Sequence, residues 1–214
     1  MEIVMEIPQK KVSMIRHAKS EWNAWNTTEW PESIPITLDG TTASEELAST
    51  LGWPISTIIY THYLRTEQTA APFIEKFPDA KKIMHPCAYE FAYLDSELYK
   101  NTTMDQRATA RDDFWSNNDM NHKETEKTES VKEFVTRVLE FKKYLIDIMK
   151  SPEHNKVIIF GHGLFMRMLL DILRNPNYNI ESESKPRVRE VLQNKEGYIE
   201  NLQVIDLTEY IVEK

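Results

Sequence analysis

The hydrophobic residues of the chain fall into short continuous runs that alternate with longer amphipathic segments. Apolar runs at residues 12–15, 56–60 and 156–160, with a shorter one at 81–84, have the length and β-branched content of strands. A strand that is apolar on both faces is typical of a parallel sheet covered on both sides. The pattern therefore predicts four strands, with residues 156–160 as the clearest buried one.

Helical periodicity fills the segments between these strands. Apolar residues recur at helical spacing at 41–51, at 130–150, at 164–173 and in a segment that begins near Arg65 and ends at about residue 77. We expect Gly52 to cap the first of these helices, and Ser130 with Glu133 fits a capping box. Alternating strands and helices predict an α/β fold: a three-layer α/β/α sandwich with a mainly parallel central sheet.

Two further regions give weaker patterns. Residues 187–192 and 198–207 are predicted to form a hairpin of two strands. Residues 101–113 are predicted to be helical, with Phe114 and Trp115 packing back onto the body. Residues 116–128 are polar and are expected to form a solvated loop with an exposed His122. We interpret residues 1–214 as a single domain with a variable lid insert at about 95–128.

Tryptophan is concentrated in and beside the loop at residues 25–34. Trp22, Trp25 and Trp30 are either packing anchors or the wall of a pocket, and packing is the favoured interpretation. No motif in this loop or in the insert identifies a substrate.

Composition and charge narrow the classes of protein. The 214 residues are 41% hydrophobic and carry a net charge of −8 without a long basic run, which argues against nucleic acid as a partner. The single Cys87 excludes an internal disulfide and suits a reducing compartment. No signal-peptide pattern occurs in residues 1–11, and no stretch approaches about 18 apolar residues. We therefore expect a soluble cytoplasmic protein with no membrane partner; its oligomeric state is not encoded in any pattern here.

Basic side chains follow two of the predicted strands. Arg16 and His17 come directly after residues 12–15, and His162 follows residues 156–160, flanked by Gly161 and Gly163. Carboxyl ends of parallel strands share one edge of the sheet, where ligands bind. A guanidinium fits phosphate or carboxylate, and an imidazole is a nucleophile near neutral pH. A satisfied core histidine is the simpler explanation of His162, but the flanking glycines favour close approach by a ligand.

Arg65 and Glu90 are two further candidates. Arg65 falls in the first turn of a helix, where a cation opposes the helix dipole unless an anion binds there; a plain surface arginine is the alternative. Glu90 lies among aromatic and apolar residues, where burial would hold a proton on its carboxyl group. From the local sequence alone, a glutamate that points outward is the favoured interpretation.

Taken together, these pieces resemble the histidine phosphatase superfamily, which includes cofactor-dependent phosphoglycerate mutase. The elements that carry the resemblance, in family order, are Arg16-His17-Ala18-Lys19-Ser20-Glu21-Trp22-Asn23, Pro35-Ile36-Thr37-Leu38-Asp39-Gly40, residues 61–70 around Arg65, Glu90, Glu129-Ser130 and Gly161-His162-Gly163. Two positions depart from the pattern, because Ala18 replaces a glycine and Lys19 replaces an acidic or amide residue. The opening Arg-His-Ala-Lys-Ser is also similar to that of the small phosphohistidine phosphatases.

The resemblance implies a role for each site residue. His17 would attack phosphorus and form a phosphohistidine, while a backbone carbonyl holds its other ring nitrogen protonated. The phosphoryl group would be bound by Arg16, Asn23, Arg65, Gly163 and a cationic His162. Glu90 would donate a proton to the leaving oxygen. Asp95 and Glu97 are alternatives to Glu90, because the family's usual glycine downstream of the acid is missing.

The resemblance also implies a reaction. We expect a metal-independent phosphatase, without a cofactor, that acts on a small phosphorylated substrate or a phosphopeptide. A mutase that returns the phosphoryl group to a second oxygen is one alternative, although no clear basic clamp for a substrate carboxylate is visible. An inactive module that binds a phosphorylated ligand is the other.

Overall fold

A single five-stranded sheet organises the chain. The computed structural model describes residues 10–24, 27 and 30–211. The strands are β1 Lys11–Arg16, β2 Thr57–Tyr60, β3 Lys81–Met84, β4 Lys156–Gly161 and β5 Val204–Asp206, in the spatial order β3-β2-β4-β1-β5. Neighbours among β1 to β4 are parallel, and β5 alone runs antiparallel, against β1. The predicted α/β fold with a mainly parallel sheet is confirmed.

Helices cover both faces of this sheet. They are α1 Leu38–Thr50, α2 Leu64–Lys76, α3 Ala108–Ser116, α4 Val131–Ile148, α5 Gly163–Arg174, α6 Lys185–Gln193 and α7 Thr208–Ile211. Alternate strand residues point to opposite faces: Ile15, Ile58 and Ile158 share a core with α1 and α2, while Met14 and Ile159 share one with α4 and α5. The chain therefore builds three layers.

The long helix α4 begins as its sequence predicts. The Ser130 Oγ accepts from the Glu133 N–H at 3.1 Å, and the Glu133 Oε2 accepts from the Ser130 N–H at 2.8 Å. The capping box is therefore confirmed, and it satisfies backbone donors that the first helical turn would leave unpaired. The apolar face of α4 is buried in the core.

The predicted C-terminal hairpin is wrong. Residues 187–192 lie within helix α6, which Ser184 caps by accepting from the Arg187 N–H and which carries Pro186 in its first turn. Of residues 198–207, only Val204–Asp206 forms a strand, and it pairs with β1. Gly52 does not cap α1 in the left-handed conformation, because Leu51 is the C-cap residue after Thr50 and Gly52 has no positive φ.

The insert is more ordered than its polar sequence suggests. Its helix is α3, which itself contains Phe114 and Trp115, both buried as predicted. His122 is half-buried beside the Phe114 ring, with 5.6 Å between centroids, rather than exposed. Met120 packs against the main core, so residues 116–128 are not simply a solvated loop.

Trp25, one of the three tryptophans of the loop, lies outside the described residues. In residues 10–24, 27 and 30–211, no helix is both long enough and apolar enough to cross a bilayer.

Candidate active site

His17 stands at the carboxyl end of β1 with its ring fixed by the backbone. Its Nδ1 lies 2.8 Å from the Ala18 carbonyl oxygen. A carbonyl only accepts, so Nδ1 carries the hydrogen and Nε2 keeps its lone pair. The His17 backbone is held on both sides: its N–H donates to the Gly161 oxygen at 2.9 Å, and its carbonyl accepts from Asn201 Nδ2 at 2.8 Å. The ring tautomer and the backbone position of His17 are therefore fixed.

His162 meets His17 across the boundary between β1 and β4. These strands are parallel, with Arg16 opposite Gly161, so the next residue of each projects at the same edge. The ring centroids are 5.4 Å apart with planes inclined at 56°, and both residues are buried. His162 Nε2 lies 3.0 Å from Thr61 Oγ1, while its buried Nδ1 has no hydrogen-bond partner among the described residues.

Arg65 contributes a buried guanidinium from the first turn of α2. It stacks on the Tyr63 ring at 4.6 Å, and its Nη1 donates to the Pro31 carbonyl at 2.6 Å. No acidic partner neutralises it through a salt bridge within the described chain. Burial lowers the pKa of Arg65 to about 10, which leaves it cationic at neutral pH.

Arg16 supplies a second buried guanidinium. Its Nη1 donates to the Tyr198 hydroxyl at 2.9 Å and to the Ile199 carbonyl at 2.6 Å. Its buried Nε has no hydrogen-bond partner in the part of the chain that the structure describes. A Cβ at residue 163 would lie 3.4 Å from this Nε, so the guanidinium packs against the bare backbone of Gly163.

Burial and then the neighbouring positive charges lower the pKa of both imidazoles. Burial, followed by the charges of Arg65 and Arg16, lowers the pKa of His17 well below its usual value. Burial, followed by Arg65, does the same for the pKa of His162. The cationic His162 expected around a phosphoryl group is therefore not favoured in the protein alone, whose surroundings favour a neutral ring. A bound anion would offset the two guanidiniums and favour the protonated ring.

Asn23 is oriented by three donors. Its Oδ1 accepts from Ser20 Oγ at 3.0 Å, from Asn201 Nδ2 at 3.2 Å and from the Ser20 N–H at 3.3 Å. Fixing the oxygen also fixes the amide nitrogen, which makes no hydrogen bond with another described residue and remains a neutral donor.

The Glu90 side chain packs against the start of α5, the helix that follows His162. Its Oε1 accepts from the N–H groups of Phe91 at 3.0 Å and Phe165 at 3.1 Å, and its Oε2 accepts from the Leu164 N–H at 3.2 Å. The side chain is half-buried and well hydrogen-bonded, which differs from the expected apolar surroundings. Three N–H donors, two of them in the first turn of α5, therefore fix the position of this carboxyl group.

The comparisons with known proteins agree with this geometry. Residues 12–183, most of the chain, match the model of the histidine phosphatase superfamily (branch 1). The chain belongs to the histidine phosphatase superfamily. A relative named probable phosphoglycerate mutase GpmB, from Enterobacter sp. (strain 638), is 28% identical over 186 residues, or 84% of this chain and 80% of the relative.

Solved structures show the same fold as this superfamily member. The alpha-ribazole phosphatase from Shigella flexneri has a TM-score of 0.69 at 15% identity, covering 92% of this chain and 89% of its own. Mycobacterial glucosyl-3-phosphoglycerate phosphatase has a TM-score of 0.66 at 16% identity, covering 92% and 89%. At these identities the likeness concerns the fold.

The loop that carries Glu90 is tied to α4 by a buried ion pair. Arg137 Nε and Nη2 donate to the two Glu129 oxygens at 2.8 Å each. Arg137 Nη1 also donates to the carbonyls of Cys87 at 2.8 Å and Tyr89 at 2.9 Å. The sequence motif included Glu129 but not Arg137. Arg137 could have been recognised from its position on the apolar face of α4, because a cation there must find a buried partner.

The two alternative acids have different surroundings. Asp95 is buried, and its oxygens accept from Thr125 Oγ1 at 2.7 Å and the Glu97 N–H at 3.0 Å. The Thr125 hydrogen bond is the main cause that lowers the pKa of Asp95, so this carboxyl is a poor proton donor. Glu97 is exposed on the wall of the cavity that adjoins the site.

The sequence analysis did not predict three residues whose side chains hold the site residues in place. Thr61 contacts His162, Thr69 Oγ1 accepts from the Ala18 N–H at 3.0 Å, and Asn201 bonds both His17 and Asn23. Thr61 and Thr69 lie in the motif at residues 61–70, so their place beside Arg65 was a usable signal. Asn201 lies in a loop with no motif. Within the described residues, no three His, Cys, Asp or Glu side chains form a metal-binding group.

Proposed function

We propose that this superfamily member is a metal-independent phosphatase that hydrolyses a phosphomonoester or a phosphohistidine through a phosphohistidine on His17. The supporting observation is the convergence of two buried imidazoles, 5.4 Å apart, with the buried guanidiniums of Arg16 and Arg65. A site of this charge suits a phosphoryl group on a small molecule or a phosphopeptide.

In the first step, His17 Nε2 attacks phosphorus. The bond between phosphorus and the leaving oxygen breaks, and its electron pair stays on that oxygen, which takes a proton from Glu90. The Ala18 carbonyl keeps the hydrogen on Nδ1, so the positive charge that forms on the ring is stabilised where it develops.

The phosphoryl oxygens would be held by donors that the protein already has in place. Arg16 and Arg65 supply charge, Asn23 supplies a neutral N–H, and Gly163 lets the chain approach closely. The Nδ1 of His162 has no hydrogen-bond partner among the described residues. When the bound anion favours the protonated ring, this Nδ1 becomes another donor to the phosphoryl group.

In the second step, water cleaves the phosphohistidine. The Glu90 carboxylate takes a proton from the water, whose oxygen attacks phosphorus as the bond to His17 Nε2 breaks. Phosphate and the starting enzyme are released, with the proton back on Glu90. The three N–H groups around this carboxyl group hold it in position for the proton transfers.

The experiment is rapid quench with para-nitrophenyl phosphate labelled on phosphorus. We expect steady hydrolysis, a burst of acid-labile phosphoenzyme, and neither in His17→Ala. Equal rates for the wild type and His17→Ala would refute the proposal. Tight binding of inorganic phosphate without a burst would instead support an inactive binding module.

Mutase activity is a second candidate, favoured by the name of the 28% identical relative. A coupled assay that follows interconversion of 2- and 3-phosphoglycerate tests it. We expect hydrolysis of phosphomonoesters to exceed interconversion, because a mutase must exclude water while the phosphoenzyme exists. Faster interconversion than hydrolysis would make the mutase the correct assignment.

A further inference from the structure

A large cavity adjoins the proposed phosphate site on the side of Arg65 and Glu90. Its volume is about 530 Å³, and it begins beside Arg65 and Glu90. This size is within the range of pockets that bury a drug-sized ligand and far exceeds a phosphate ion. The space is therefore available to the part of the substrate that leaves as an alcohol.

Aromatic side chains recur along the cavity walls. Six aromatic side chains line it: Trp22, Trp30, Tyr63, Phe91, Tyr93 and Trp115. They come from the first loop, the start of α2, the Glu90 loop and the insert. Rings of this kind favour a flat apolar group by burial and by stacking.

Two of these rings, those of Trp22 and Trp30, are held in place before any ligand binds. The Arg107 guanidinium lies 4.4 Å from the Trp22 ring, and Lys100 lies 4.9 Å from the Trp30 ring. Arg107 is itself anchored, since its Nε donates to Thr102 Oγ1 and its Nη2 to the Tyr99 carbonyl, both at 2.7 Å. Trp22, Trp30 and the insert thus form one preorganised wall, which reduces the entropy lost on binding.

Apart from Arg65 and Glu90, acidic and basic side chains are equal in number among the residues that line the cavity. The acids Glu32, Asp95 and Glu97 face the cations Arg107, Arg111 and Lys127. Arg107 is already engaged by the insert and Trp22, so the lining has no excess of free cations for a carboxylate or a second phosphate. An uncharged leaving group suits such a wall, because it loses no strong hydration on entering.

We infer that the substrate is a phosphomonoester of an uncharged alcohol that bears a flat aromatic group, such as an arylalkyl or nucleoside phosphate. This inference rests on the proposed phosphatase function. It makes Trp22 a specificity-determining residue, positioned by Arg107.

The test compares substrates with leaving oxygens of similar basicity. We expect kcat/KM for 2-phenylethyl phosphate to exceed that for ethyl phosphate and for 3-phosphoglycerate at least tenfold, mainly through KM. Trp22→Ala should reduce the ratio of phenylethyl to ethyl phosphate at least fivefold, and Trp22→Phe should retain most of it. Trp53→Ala is the matched control, because Trp53 packs under Lys11 and is not among the residues that line the cavity.

Binding separates this inference from the proposed function. In His17→Ala, calorimetry should show 3-phenylpropylphosphonate binding at least tenfold more tightly than propylphosphonate, whether or not the wild type hydrolyses anything. Equal affinities, or equal kcat/KM for ethyl and phenylethyl phosphate, would overturn the substrate class and leave the phosphatase standing. Preference for the phenyl ligands without hydrolysis would overturn only the phosphatase.

Discussion

His17 and His162 follow two neighbouring strands and are buried there, and this burial determines their protonation. The two rings are buried beside Arg16 and Arg65, and the pKa of each ring is lowered well below its usual value, chiefly by burial. The unfolded chain binds protons on these rings near their ordinary pKa of 6.5, whereas the folded chain does not. Stability should therefore be lost as the pH falls below about 6.5.

His162→Gln removes one of these titrations. Between pH 7 and pH 5 we expect the wild type to lose stability more steeply than the variant, by up to about 1.4 kcal/mol per pH unit. Urea unfolding at pH 7, 6 and 5 measures the difference. Inorganic phosphate should weaken the wild-type pH dependence, because an anion favours the protonated ring. Parallel losses in the two proteins would contradict the argument.

The Arg137–Glu129 pair positions Glu90 without contacting a substrate. Arg137→Met leaves Glu129 buried and unpaired, which should cost about 3–5 kcal/mol of stability. It also removes two donors to the Glu90 loop, so kcat should fall. Glu129→Met combined with Arg137→Met should recover most of the stability but little of kcat. Urea unfolding and steady-state kinetics give both values, and full recovery of kcat in the double variant would make the pair purely structural.

Among the secondary-structure elements, the start of α1 explains the sequence motif at residues 35–40. The Thr37 N–H donates to the Lys19 carbonyl at 2.8 Å, so α1 begins directly on the loop that follows His17. A Cβ at residue 40 would lie only 2.5 Å from that same Lys19 oxygen. The glycine is required here by close approach rather than by a positive φ.

Gly40→Ala should therefore push the Lys19 backbone away. We expect a loss of about 1–3 kcal/mol in stability together with a lower kcat, because His17 lies two residues from the displaced atoms. Gly52→Ala is the matched control: nothing lies within 4 Å of its Cβ, so we expect no loss and a gain of up to about 1 kcal/mol. Thermal unfolding and kinetics of both variants test this, and equal behaviour would contradict it.

Elements with a strong period were predictable, and those fixed by tertiary contacts were not. Strands β1, β2 and β4 and helices α4 and α5 followed from apolar runs and helical spacing. Helix α6 was missed because the short valine-containing run at 187–192 was interpreted as a strand, although Val188, Val191 and Leu192 have the i, i+3, i+4 spacing of a helix. Ser184 followed by Pro186 was a helix-start signal that should have outweighed it.

The site residues also fall into two groups, those that a sequence motif identifies and those that only tertiary packing brings to the site. The sequence located the residues whose chemistry is recognisable in a motif, such as His17, Arg65 and His162. It did not reveal Tyr198 and Asn201, because loops that reach the site through tertiary packing carry no period. It also gave the wrong surroundings for Glu90, since its N–H donors come from a distant helix.

At the scale of the whole molecule, Lys185 joins the insert to the body. It is fully buried at the start of α6, with its Nζ 3.8 Å from the Phe114 ring centroid and without a hydrogen-bond partner among the described residues. Burial lowers the pKa of Lys185 to about 8, below its usual 10.5. The folded protein therefore releases this proton at lower pH than the unfolded chain.

It follows that Lys185 should make the protein more stable as the pH rises from 8 towards 10. We expect this gain to reach about 1.4 kcal/mol per pH unit and to be absent in Lys185→Met. Urea unfolding of both proteins at pH 8, 9 and 10 measures the slopes. If the slopes are the same, Lys185 is not protonated differently in the two states.

The order of strands in the sheet has a consequence for synthesis on the ribosome. Strand β1 leaves the exit tunnel first, yet its neighbours β4 and β5 come from Lys156–Gly161 and Val204–Asp206. A growing chain must keep an apolar, unpaired β1 from aggregating until most of its length has been translated. His17, the proposed nucleophile, is therefore translated before the strands β4 and β5 that complete its surroundings.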